Sequence, residues 1–249
     1  MRVIIQSNMH DIASRVAALG RQGPFVAAVS LTRSVKAAQA AVRAEEQQVF
    51  DRPTPYALNG TYIKAATKTN LVAELGVKDK SASKGAPLER VLGPEIYGGG
   101  RAQKGFERLL QRAGVLAAGW IAVPAAAARL DGNGNVARGQ LEQILAALEV
   151  HRSAGQGRRA TRARSTSNRQ ATDYFALPAA RRGLQPGIYL KRQFAHGNAI
   201  KPVFIFVRAA TYRTRLKFDD VSKRAVASTF MTVFDQEAAK AIASARLGR

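Results

Sequence analysis

The chain has 249 residues, 46% of them hydrophobic, and carries a net charge of +22 from 39 Lys and Arg against 17 Asp and Glu. It has no cysteine, which excludes disulfides, thiolate metal sites and cysteine nucleophiles and fits assembly in the cytosol. No apolar run approaches the ~20 residues that span a bilayer, and the apolar part of MRVIIQSNMHD is too short for a signal peptide.

The elements follow in chain order. Residues 11–22 fit a short helix, with Ile12, Val16 and Leu19 at i, i+4 and i+7. Pro24 suits the first turn of a second helix, predicted from Phe25 to Val49. Its stripe is Val29, Val35, Val42 and Val49, with alanines between. Alanine favours helix and permits a close neighbour. The run then stops at VFDRPTPYALNG. Pro53 and Pro55 push Arg52 and Thr54 out of helical geometry, so the helix ends near Phe50. Residues 51–56 are predicted as a stiff extended connector, anchored to the core by Tyr56 and Leu58. Asn59-Gly60 is a turn. Tyr62–Lys64 and Leu71–Val77 have strand character, split by a polar turn at Thr67–Asn70, and read as a β-hairpin.

Residues 78–86 are polar, and PLERVLGPEIYGGGR reads as a short helix followed by a glycine-rich loop. A helix over 103–113 places Phe106, Leu109 and Leu110 on one face. Trp120–Val123 is a short strand closed by Pro124. LDGNGN is a turn before a helix striped by Leu141, Ile144, Leu145 and Leu148. Residues 152–172 hold Arg152, Arg158, Arg159, Arg162, Arg164 and Arg169, with no acid and no bulky apolar residue. Such a stretch cannot bury itself and is expected as a basic flexible loop. Tyr174–Leu177, Gly187–Lys191 and Pro202–Val207 are further strands. A last helix, Asp219–Arg246, has Val221, Val226, Phe230, Val233, Phe234 and Ile242 as core positions. Asp219 and Asp220 sit at its N-terminus, as the helix dipole favours. This order implies an α+β fold, a mainly antiparallel β-sheet against long α-helices. It implies one domain over 1–249, with loop excursions at 78–105 and 151–172.

A charge of this size implies a polyanion nearby, nucleic acid or an acidic protein face. The six loop arginines would neutralise phosphates without reading sequence. No aromatics are interleaved with them, so base stacking is not expected. His10, His151 and His196 lie apart, in polar contexts, and no nucleophile motif accompanies them. Asp131, Asn133, Asn135 and Glu142 fall at positions 1, 3, 5 and 12 of a calcium loop, but Val136 stands where glycine is needed. The expectation is a turn that starts a helix. Gly98-Gly99-Gly100-Arg101 lacks the GKS or GKT ending of a phosphate loop.

Several strings taken together are specific: FDRPTPYALNGTYIKAATKTNLVAELGVKD, LGPEIYGGGRAQKGFERLLQRAG, LDGNGNVARGQLEQIL, LQPGIYLKR and PVFIFVRAATYRTRLKF. In this order, over most of residues 20–246, the chain resembles the phage and prophage minor tail protein Z family, similar to tail-completion proteins. The resemblance implies a virion structural protein at the head–tail junction (tail or neck), assembled in the host cytoplasm. It implies a homo-oligomeric ring, of six copies with twelve the alternative, between the head connector and the tail tube or terminator. Double-stranded DNA would pass through the lumen, contacted non-specifically. No catalytic residue, cofactor, metal or membrane partner carries over. Within this expectation Arg52, Pro53, Pro55, Tyr56, Tyr62 and Lys64 are the candidate interface, on a hairpin projected at a fixed angle from the helical base. The six loop arginines are the candidate contact to DNA or an acidic neighbour. The alternative is a free basic nucleic-acid-binding protein of DNA packaging or organisation.

Overall fold

The structure, a computed structural model, describes residues 2–4, 9–78, 87–150, 173–194, 197–208 and 211–247. The fold is α+β and its strands pair antiparallel. The chain forms two compact units rather than the single domain expected. One comprises Met1–Gly99 with Tyr212–Arg249, the other Gly100–Thr211. Each has its own apolar core. The second unit is an insertion between a helix and its packing partner, and hydrophobic spacing carries no mark of such a boundary.

The first unit runs β1 (Arg2–Ile4), α1 (Met9–Ala18), a 3-10 turn (Gly20–Gln22), α2 (Gly23–Val49), α3 (Pro55–Leu58), β2 (Thr61–Lys64), β3 (Glu74–Val77) and α4 (Leu88–Tyr97). After the second unit it closes with α7 (Phe218–Leu247). Pro24 is in the first turn of α2. One ridge of α2 descends in steps of four, Val26, Ser30, Ser34, Ala38, Val42 and Glu46, and every member is buried. The serines fit because each satisfies its own hydroxyl. Ser30 Oγ donates to the Val26 carbonyl at 2.7 Å and Ser34 Oγ to that of Ser30 at 2.9 Å. Small side chains let α7 lie close. Arg33 meets Glu237 at 2.6 Å, and Arg215, just before α7, reaches the Val49 carbonyl, so the two helices run antiparallel. The buried stripe of α7 is Val226, Phe230, Phe234, Glu237 and Ala241. Ile242, expected in the core, is exposed because it stands one residue, 100° of helix, off that stripe.

β3 is the central strand of three, in the order β1-β3-β2. The hairpin is present, but its second strand starts at Glu74. Leu71 and Val72 precede it and are exposed. Thr67 and Asn70 exchange two backbone hydrogen bonds at the turn. The stretch 78–105 is no mere excursion, since α4 lies within it and Leu88, Leu92 and Ile96 are core residues. The helix ends where Gly98, at φ 75°, takes a left-handed conformation open to glycine.

Two short strands, β4 (Gly99–Gly100) and β9 (Thr211–Tyr212), fall at the ends of the second unit, which itself runs through α5 (Gly105–Arg112), β5 (Trp120–Pro124), α6 (Arg138–Ala147), β6 (Asp173–Leu177), β7 (Gly187–Phe194) and β8 (Gly197–Arg208). Its sheet has the order β5-β8-β7-β6. Ile188 pairs with Phe204 and Tyr189 with Pro202, which leaves Val203 as an extra residue in β8. That bulge explains how proline enters a central strand. Leu110, Leu116, Ile144, Leu145, Ile188, Val203, Phe204 and Phe206 form the core. Each large side chain buried there stabilises the unit by ~1.5–3 kcal/mol.

Candidate interface site

The hard stop after α2 is visible residue by residue. Phe50, φ −102° and ψ 137°, caps the helix, and its N–H still donates to the Glu46 carbonyl at 3.1 Å. Arg52 turns the chain through a left-handed conformation, φ 48°. Thr54 is extended, φ −71° and ψ 152°, and its hydroxyl accepts from the Ala57 N–H at 3.2 Å. That is an N-cap, with Pro55 in the first helical turn. Residues 51–56 are therefore not one extended connector. They are a left-handed step and a capped turn, α3, because Pro55 suits a helix start as well as it suits extended chain. Arg215 clamps the end of α2. Its guanidinium lies 5.5 Å from the Phe50 ring centre, donates to the Val49 carbonyl and stands 3.9 Å from Glu95. A cation there also complements the helix dipole.

The hairpin is not projected from the helical base. It lies along α2, tied at three levels. Lys68 stands over the Phe25 ring at 5.2 Å, the Ala66 N–H donates to Thr32 Oγ1 at 3.1 Å, and Gln39 Nε2 donates to Thr61 Oγ1 at 3.0 Å. The reason is β3, whose four residues are all buried and need a helix face to cover them. Between α2 and residues 65–68 is an open hollow of about 370 Å³.

The structure brings the predicted interface residues onto one short stretch and exposes all of them but Pro53. Tyr56 is 50% exposed, so it does not anchor the connector to the core; Ala57 packs there instead. Tyr62 is 37% exposed and lies over its cross-strand partner Gly76, where a methyl group would sit 2.6 Å from the ring. Lys64 is exposed and stands 3.7 Å from the buried Glu74. Arg52 pairs with Asp51 at 3.0 Å. The hydrogen bond from Arg52, and then its charge, hold the Asp51 carboxyl below the usual carboxylate range. Pro55 is exposed and Pro53 half-buried. Rigid backbone carrying exposed tyrosine and arginine can make contact; no general base, nucleophile or anion cradle gathers on it.

Arg152, Arg158, Arg159, Arg162, Arg164 and Arg169, with His151 and His196, lie outside the described residues. At the calcium-like stretch Asp131 Oδ1 accepts from the N–H of Asn133 and of Asn135, both at 2.9 Å, and Glu142 pairs with Arg138 at 2.9 Å. The carboxylates there already have partners. Among the described residues no three His, Asp or Glu gather so as to hold a metal ion. Among them, too, no helix is long and apolar enough to cross a membrane. Two arginine placements carry no sequence signal beyond charge: the Arg215 clamp, and Arg101, which binds buried Glu107 at 2.5 Å across six residues.

No protein-family model matches the chain, and no curated protein or solved structure matches it.

Proposed function

We propose that this chain is a virion structural protein of a tailed phage, a ring subunit at the head–tail junction through which the genome passes. The observation that carries the reading is the capped, proline-braced corner from Arg52 to Lys64, which leaves Tyr56 and Tyr62 exposed. Tyrosine and arginine are the residues that anchor interfaces. A closed ring also requires each contact to hold one angle, since errors accumulate around it. The motif strings quoted above support the same reading. The ring has six copies, with twelve the other closure, and docks on the head connector and on the tail tube or terminator. The net charge of +22 is shared between the lumen, where it meets DNA without sequence preference, and acidic neighbouring proteins.

The test is light scattering and negative-stain imaging of the purified chain, with immunogold location in particles. Discrete rings and label at the neck are expected. Pro53→Ala with Pro55→Ala, or Tyr56→Ala with Tyr62→Ala, should lower ring assembly while each protomer stays folded. A chain that is monomeric at every concentration and missing from particles overturns the proposal.

The same charge favours a second reading, a free nucleic-acid-binding protein. It requires duplex DNA to be retarded in a gel at physiological salt, with affinity falling steeply as salt rises.

A further inference from the structure

α5 and α6 lie beside each other in the second unit, each with one face in the core through Leu110 on one and Ile144 on the other. Their outer faces do not close on each other. Between them is a hollow of about 440 Å³. Its floor is apolar: Phe106 and Leu109 from α5, Leu141 and Leu145 from α6. Its rim is cationic. Arg108 and Arg112 stand one turn apart on α5, both exposed, and Arg138 faces them from α6. Arg138 is paired with Glu142 at 2.9 Å. Among the described residues no carboxylate pairs with Arg108 or Arg112. Two like charges at i, i+4 repel each other mildly, although Arg112, in the last turn of α5, also complements the helix dipole.

We infer that this groove is a docking site for an acidic, amphipathic peptide segment of a neighbouring protein. One or two large apolar side chains of the segment enter the hollow, and Asp or Glu a helical turn away meet Arg108 and Arg112. The floor decides between this occupant and nucleic acid. Duplex DNA would meet the guanidiniums but leave the apolar floor unfilled. The Phe106 ring already packs on Phe204, centroids 5.2 Å apart, and is no stacking platform for a base. A carboxylate-flanked apolar side chain satisfies both halves of the groove, with bidentate pairing to arginine as the specific element. The inference stands on the groove alone and does not need the head–tail reading.

The test uses the full chain and a fluorescent synthetic peptide of about 16 residues, with Leu or Phe at i, i+3 and i+7 and Glu between, read by anisotropy at physiological salt. Three comparisons decide the matter. Arg108→Glu with Arg112→Glu should weaken binding at least tenfold, whereas Lys223→Glu with Arg224→Glu, the same charge change on α7, should not. Replacing the peptide's Leu and Phe by Ala should weaken binding at least tenfold. Duplex DNA should not displace the peptide at equal charge. Equal loss from both reversals reveals general attraction to a basic protein and overturns the inference. So does insensitivity to the apolar residues, or displacement by DNA.

Discussion

Arg101 and Glu107 form a bidentate ion pair, Nη2 to Oε1 at 2.5 Å and Nη1 to Oε2 at 2.8 Å, around a carboxylate that is 1% exposed. The same carboxylate accepts the Lys104 N–H at 2.7 Å and the Ala122 N–H at 3.0 Å, joining the start of α5 to β5. Burial pushes the Glu107 carboxyl up, but Arg101 and the two backbone donors outweigh it and leave it below the usual range. Such a group stabilises the fold above its unfolded pKa, and the contribution is lost as pH falls through the folded one. Glu107→Gln should therefore cost the second unit on the order of 3 kcal/mol at neutral pH, with a smaller deficit in acid. Trp120, the one tryptophan of the chain, lies in β5 of that unit. Its fluorescence during urea unfolding reads the loss directly.

Glu46 ends the buried ridge of α2, and its Oε1 has no hydrogen-bond partner among the described residues. Burial raises its pKa from an ordinary 4.5 to about 7, against the pull of Arg43. The folded state then holds a proton that the unfolded state has released. Stability of the first unit falls as pH rises from about 4.5 to about 7, by roughly 3 kcal/mol, and is level above that. Glu46→Gln should remove this slope and stabilise the unit at pH 8. Helical circular dichroism on urea titration, repeated from pH 4 to 8, checks it.

Arg52 occupies a left-handed conformation, φ 48°, that glycine adopts without strain and a β-branched residue does not. Its pairing with Asp51 is exposed and contributes little. Stability should rank Arg52→Gly above the native residue and Arg52→Val below it, by about 1–2 kcal/mol for the valine. Thermal unfolding of the three proteins gives the order.

Gly187 pairs with Ile205, and a Cβ there would stand 2.3 Å from the Phe204 carbonyl oxygen. The obstacle is backbone in a central strand and cannot rotate away. Gly187→Ala should destabilise the second unit by about 1–3 kcal/mol, seen as a lower urea midpoint for Trp120. A midpoint equal to that of the native chain would show that β7 shifts freely, contrary to this packing.

The local half of the fold was legible. Propensity, period and proline placement located α2, its stop at Phe50, the hairpin turn at Thr67–Asn70 and the strand series, because each depends on residues within a turn or two of each other. What was missed depends on distant partners. β1 leaves no signal in the sequence, because three residues are too few to show an alternation. The hairpin was expected to project, yet burial of all of β3 requires α2 beneath it. Of the candidate interface residues, exposure of Tyr56 and Tyr62 could not be read from residue type, since an aromatic is as suited to a core as to a surface.

The sequence by itself determined the basic surplus, the absence of cysteine chemistry, the antiparallel α+β character and the hard stop at Pro53 and Pro55, all of which follow from composition and short-range sterics. Only the tertiary structure decided that the chain folds as two units. It alone matched a ridge of small residues on α2 to α7 and set Arg101 on Glu107. It also set Arg108 and Arg112 beside an apolar-floored hollow where, among the described residues, no carboxylate pairs with either of them. Those outcomes are set by which helix faces meet, and a contact between residues far apart in the chain leaves no periodic trace in either segment.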